Sequence, residues 1–130
     1  MSDTIFTKII NGEIPADKIY EDELTYAFLD IHPIQPGHVL VVPKKQVEFV
    51  WDLAPEDYQA VMTTVKKVAA RIKVVMGKPY IGLKVMGIDV PHAHVHVFPF
   101  ANPEEYHNRP DHAVPPDLPA LAAIAKRLAF

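Results

Sequence analysis

The spacing of apolar residues changes along the chain, and each change marks an element. Ile5, Phe6, Ile9 and Ile10 recur at helical intervals, with Ser2 or Asp3 as the cap and Gly12 as the stop, which predicts a short helix over 4–10. Residues 18–21 and 24–30 read as strands joined by the polar turn Glu21-Asp22-Glu23. Pro33, Pro36 and Gly37 mark a loop, and the run from His38 to Pro43 reads as a buried strand ended by its proline. Pro55 opens the clearest helix. Glu56 and Asp57 complement its dipole, Val61, Val65, Val68, Ile72 and Val75 share one stripe, and Gly77 follows the end. Residues 80–86 and 93–98 are the last two strands, the second bracketed by Pro91 and Pro99. Six of the 13 prolines follow Phe98, so the tail 101–130 is expected to be extended, with a short final helix over 118–128. Strands in hairpins with one long helix predict an α+β fold: an antiparallel sheet of about five strands with its helices on one side.

Within the last strand the alternation carries histidine. His92, His94 and His96 occupy every second position, interleaved with Ala93, Val95 and Val97. A strand sends successive side chains to opposite faces, so three imidazoles line one face and three small apolar groups enter a core. Imidazole titrates near neutral pH and is uncommon as packing material, so the row points to chemistry.

Composition narrows that chemistry. With 130 residues the chain is read as one domain, 1–130. A net charge of −3 gives no global attraction to nucleic acid or to an anionic membrane, so any anion site must be built locally. The absence of cysteine excludes disulfides and thiolate metal sites. No apolar run is long enough to span a bilayer. The opening Met1-Ser2-Asp3-Thr4 lacks a signal-peptide pattern, and a cytoplasmic location is the expectation.

A neutral imidazole can attack phosphorus and form a phosphoryl-imidazole, splitting one displacement into two. Its other ring nitrogen must then donate its proton to a fixed acceptor, a role that a backbone carbonyl suits. Flanking histidines can donate to the non-bridging oxygens. This geometry favours the middle residue, His94, as nucleophile, with His38 from another strand orienting the row and Asp30 placed to hold ribose hydroxyls. A metal centre is the rival reading, with His38, Asp89 or a glutamate completing a tetrahedral set. His107 and His112 are expected to face solvent, His32 to be a turn residue, and Phe49 and Trp51 to pack in a core or a subunit contact.

The run His92-Ala93-His94-Val95-His96-Val97-Phe98 fits His-φ-His-φ-His-φ-φ, with φ apolar, and resembles the motif of the histidine triad (HIT) superfamily. Ile5-Phe6-Thr7-Lys8-Ile9-Ile10-Asn11-Gly12-Glu13-Ile14-Pro15 resembles the opening of its nucleotide-binding, Hint-like branch. Residues 27–31 and 36–44 are similar to its central strands, so the likeness covers about residues 4–100 in order. The resemblance implies a HIT-like fold and a nucleotidyl hydrolase or transferase acting on phosphorus next to a nucleoside. Carried over by position, His94 is the nucleophile, His92 supplies the carbonyl that holds its tautomer, His96 contacts the phosphate and His38 supports the triad. Asp30 holds the ribose, and Ile5, Phe6, Ile9, Phe28, Ile31 and Leu40 line the base pocket. Asp89 and Val90 lie beside the phosphate. Homodimers are typical of the family.

Two departures matter. The stretch Gly87-Ile88-Asp89-Val90-Pro91 is shorter than its usual counterpart and puts a carboxylate where a neutral polar group is common. Some bacterial members hold zinc through Cys-x-x-Cys, and Thr4 and Thr7 stand at those positions. The expectation is therefore a homodimeric, metal-free and cofactor-free enzyme that cleaves nucleoside phosphoramidates or related nucleoside monophosphate esters and anhydrides, a purine nucleotide being the partner. The alternatives are a dinucleoside polyphosphate hydrolase, a nucleotide-binding regulatory module with vestigial turnover, and a histidine-only metal-binding protein.

Overall fold

The computed structural model describes residues 2–130; Met1, part of the start read for targeting signals, lies outside the described residues. In chain order the elements are α1 (Ile5–Ile10), β1 (Lys18–Glu21), β2 (Thr25–Leu29), β3 (Val39–Pro43), α2 (Pro55–Met76), β4 (Tyr80–Lys84), β5 (Val95–Phe100), α3 (Pro103–Tyr106) and α4 (Leu118–Leu128), with a single 3₁₀ turn at Val50–Asp52. The strands form one sheet in the order β1-β2-β3-β5-β4, every neighbouring pair antiparallel. The histidine-bearing strand therefore lies inside the sheet, flanked by β3 and β4. Among the described residues no helix is long and apolar enough to cross a membrane.

The helices are not all on one side, as the strand pattern had suggested. α2 and α4 cover the back face, where Val61, Val65, Val68, Ile72, Leu121 and Leu128 pack on Ala27, Leu29, Val39, Val41, Val95 and Val97. α1 covers the front face, where Phe6 and Ile9 pack on Tyr26, Phe28, Leu40 and Val42. The reason lies in the strands: β2 and β3 are buried at every position and, Thr25 apart, carry apolar or aromatic side chains on both faces, so both faces need a cover.

Several boundaries shift for local reasons. α1 is capped by Thr4, not Ser2 or Asp3: its side chain accepts from the Thr7 amide at 3.1 Å. β4 ends at Lys84 and β5 begins at Val95, so His92 and His94 lie just ahead of the ladder, His92 in a bend where its amide donates to the Val90 carbonyl at 2.8 Å. Pro99 lies inside β5, opposite Ile81. It is tolerated because the β3–β5 ladder has already ended at Val97, so one side of the strand is locally free. α3 interrupts the tail expected to be extended; Asn102 caps it through its side-chain oxygen, and Pro103 occupies its first turn. α2 ends as read, with Gly77 in the left-handed conformation at φ 67°. Phe49 and Trp51 are exposed at 45% and 71%, so neither joins the core.

Candidate functional site

The site is built around a chain of imidazoles whose tautomers follow from their partners. His94 Nδ1 lies 2.7 Å from the carbonyl oxygen of His92. A carbonyl only accepts, so Nδ1 carries the proton and Nε2 keeps its lone pair. His92 Nε2 likewise faces the Pro43 carbonyl at 2.8 Å, which leaves its Nδ1 to accept from the Thr4 hydroxyl at 2.8 Å. His38 Nδ1 accepts from the Ile34 amide at 2.9 Å, so its proton sits on Nε2, which donates to His96 Nδ1 at 3.0 Å. His96 must then carry its own proton on Nε2. Among the described residues, that Nε2 is the one buried side-chain nitrogen or oxygen without a hydrogen-bond partner. A buried donor left unpaired costs about 1–3 kcal/mol, which a ligand oxygen would recover.

Electrostatics keep His38, His92 and His96 neutral. Burial first, then the charge of His96, lowers His38 to about 3. Burial, then His94, lowers His96 to about 4. Burial also lowers His92, against the Pro43 carbonyl that favours its charged form. In contrast, burial raises Asp30 above its ordinary value, against the opposing amide of His32, which donates to Oδ1 at 2.8 Å. Asp30 Oδ2 lies 3.6 Å from His38 Nε2 and 4.0 Å from His96 Nδ1.

Those three atoms converge closely enough to suggest a metal site. The donor set does not fit one. A ligating Nε2 of His38 would have to move its proton to Nδ1, and Nδ1 faces the Ile34 N–H, itself a donor. The second candidate, around Thr4 and Thr7, fits no better. The Thr7 hydroxyl donates to Gln46 Oε1 at 2.7 Å and the Thr4 amide to the same oxygen at 2.8 Å. These neutral oxygens are weak ligands for zinc and are already engaged in binding α1 to His92.

Most residues expected to line a base pocket come together. Phe6, Ile9, Phe28 and Leu40 share one buried cluster, with Val90 packed against it. The Phe6 ring meets His94 edge-to-face at 5.1 Å between centroids, and Phe28 at 5.4 Å. Ile5 and Ile31, each 48% exposed, stay outside that cluster. Asp89 is exposed, close enough for its charge to act on His96. His112 is exposed but does not merely face solvent: it packs on half-buried His32 at 4.8 Å, and both act on Asp30. The sequence reading missed the contacts of Thr4, Gln46 and Ile34. A capping threonine gives a local signal; Gln46 acts on Thr4 and Thr7 across 42 and 39 residues, and Ile34 acts through its backbone amide, which no side-chain pattern announces.

Helices thus cover both faces of the sheet, and the histidine row on the front face keeps a lone pair on His94 and an unpaired N–H on His96. The HIT domain family model matches residues 11–102. The purine nucleoside phosphoramidase of Escherichia coli K12 is 37% identical over 102 residues, covering 73% of this chain and 85% of that protein. The crystal structure of a Hit-like protein from Bartonella henselae superposes with a TM-score of 0.85 at 30% identity, covering 97% of this chain and 93% of that one. A zinc-bound histidine triad family protein from Mycobacterium smegmatis gives 0.76 at 28% identity, covering 95% and 94%. The chain belongs to the HIT family. It is thus a member of a family of nucleotide-binding hydrolases and transferases acting on phosphorus.

Proposed function

We propose that the protein cleaves nucleoside phosphoramidates, or related nucleoside monophosphate esters and anhydrides, through a nucleotidyl-His94 intermediate, with purine nucleotides preferred. The observation that carries this reading is the contact of His94 Nδ1 with the His92 carbonyl, which leaves Nε2 with a lone pair on the face shared with the unpaired His96 N–H. His94 Nε2 attacks phosphorus, the bond from phosphorus to the leaving nitrogen or oxygen breaks, and the leaving group takes a proton from Asp89 or water. Water then attacks the phosphoryl-imidazole and loses a proton to the Asp89 carboxylate left by the first step or to solvent, the P–N bond breaks, and His94 returns to its neutral tautomer. His96 donates to a non-bridging oxygen, and His38 keeps it in the donating tautomer. Asp30 accepts from ribose hydroxyls, and Phe6, Ile9, Phe28 and Leu40 bound the base, with Ile5 and Ile31 at its open edge. The phosphoramidase among the relatives supports the leaving-group class and the purine.

The test is a panel of purine and pyrimidine phosphoramidates, nucleoside esters and dinucleoside polyphosphates compared by kcat/KM. Highest values for purine phosphoramidates support the reading. Preference for dinucleoside polyphosphates would favour the alternative hydrolase, and tight binding without turnover a regulatory module.

The site is proposed to work in a homodimer. Edge strand β4 exposes Leu83 at 43%, with Val85 beyond it at 39%, and α2 leaves Met62 and Ala69 only half-buried. A partner can extend the sheet edge and cover these groups. Light scattering at micromolar concentration should give twice the chain mass of 14.6 kDa; a monomeric mass would defeat the dimer.

A further inference from the structure

The uncharged histidines around His94 leave a charge problem. The proposed substrate is an anion, yet His38, His92 and His96 are all held in the uncharged form, and the nearby side chains Asp30 and Asp89 are carboxylates. Neutral N–H donors orient a phosphate but do not offset its charge.

The sheet register brings one cation to this place. Phe28 pairs with Leu40, Leu40 with His96, and His96 with Lys84, so one row on the front face runs from the base-side cluster through the triad to Lys84. Directly opposite residues on antiparallel strands have Cβ atoms about 5 Å apart on the same face, within reach of a long side chain. The ammonium is held beside this row by the segment that follows the sheet. It donates to the Tyr106 carbonyl at 3.1 Å, lies 4.5 Å from the Tyr106 ring centroid and 5.5 Å from that of Phe98. Gly82 makes room for that arrangement: a Cβ there would meet Phe98 at 2.9 Å and Tyr106 at 3.0 Å. Tyr106 lies beyond residue 102, where the match to the family ends. An ammonium has three donors, so one bond to a carbonyl leaves two for a ligand. Its field already reaches the site, adding to the burial that keeps His38 and His96 neutral.

We propose that Lys84, positioned by Tyr106, binds an anionic oxygen of the substrate's phosphate and supplies the positive charge that the triad lacks. The proposal rests on the nucleotide reading above and adds a residue to it. The alternative role is structural: Lys84 would only tie α3 to the sheet edge.

Binding of AMP and of adenosine, measured by calorimetry on the wild-type protein and on Lys84→Met and Lys84→Arg, separates these roles. Lys84→Met should weaken AMP about 10-fold or more, the loss of one charge-assisted contact, and adenosine less than 2-fold. Lys84→Arg should restore AMP binding to within about 3-fold, since the charge is kept. The salt dependence of AMP binding should flatten in Lys84→Met only. Equal losses for both ligands, or no loss for either, would overturn the assignment. A wild-type protein that binds neither ligand would overturn the nucleotide reading, and Lys84's role with it. One that binds both, while Lys84→Met is indifferent to the phosphate, overturns the Lys84 role alone.

Discussion

The two faces of the histidine run are buried to nearly the same degree. Ala93, Val95 and Val97 are 1%, 1% and 0% exposed, and His92, His94 and His96 are 0%, 3% and 5%. What differs is whether each group is finished. The back-face side chains meet α2 and need nothing more. Of the front-face rings, His92 has both nitrogens paired with protein groups, His94 and His96 have one each, and the second nitrogen of His96 is an N–H with no partner. Burial alone would not distinguish core from site; the unfinished hydrogen bond does. A folding domain has no reason to bury an unpaired donor at a cost of about 1–3 kcal/mol unless something else pairs with it.

The sharpest way to break this contrast is to remove the one lone pair aimed at substrate. His94→Ala should cut kcat by at least ~10³-fold while nucleotide binding and Tm stay near wild type, the magnitude expected for loss of a nucleophile. Near-normal turnover by the folded variant would end the assignment.

Acid should act on the front face selectively. His38, at about 3, and His96, at about 4, have folded values below the ordinary 6.5, as does His92 by direction. The unfolded chain therefore binds protons that the folded one refuses. Stability is full above about pH 6.5 and falls as pH drops toward 4, each histidine approaching about 1.4 kcal/mol per pH unit. Asp30 works in the opposite sense: its raised folded value lets the folded chain take up a proton first, which offsets part of the loss. Denaturant midpoints from pH 7.5 to 4.5 should decline steadily below 6.5. A flat profile would mean that the imidazoles are not held neutral.

On the back face the same kind of truncation should have the complementary effect. Val97→Ala leaves a cavity under α2 and should cost about 2 kcal/mol, lowering Tm by roughly 7 °C, with kcat/KM of the folded protein unchanged. A large kinetic loss without a stability loss would show the faces are not separable in this way.

The smallest effect concerns Asp89. If it protonates the leaving group, Asp89→Asn should slow poor leaving groups several-fold and good ones hardly at all. An equal effect on both, or none, makes it a turn residue.

Much of this was legible in the sequence because its signals are local. Alternation placed the three imidazoles on one face, and helical spacing, an N-terminal proline and a terminal glycine fixed α2 from Pro55 to Met76. The side taken by α1 was not legible, because a short run of apolar residues says nothing about which face of a sheet it covers. The His94 tautomer was within reach, since a carbonyl two residues away holds it, but those of His38 and His92 were not. They depend on Ile34, Pro43 and Thr4, which lie 4, 49 and 88 residues from the rings they contact. Lys84 drew no role from the sequence, and only the register that pairs it with His96 shows that it stands beside the histidine row.

The stereochemical course at phosphorus tests the central claim most directly. A nucleoside phosphoramidothioate of single phosphorus configuration, hydrolysed in ¹⁸O-water, reports how many displacements occur whether or not an intermediate accumulates. Attack by His94 followed by attack of water makes two in-line displacements, so the account predicts net retention. Net inversion would mean that water attacks directly, and that His94 is not a nucleophile.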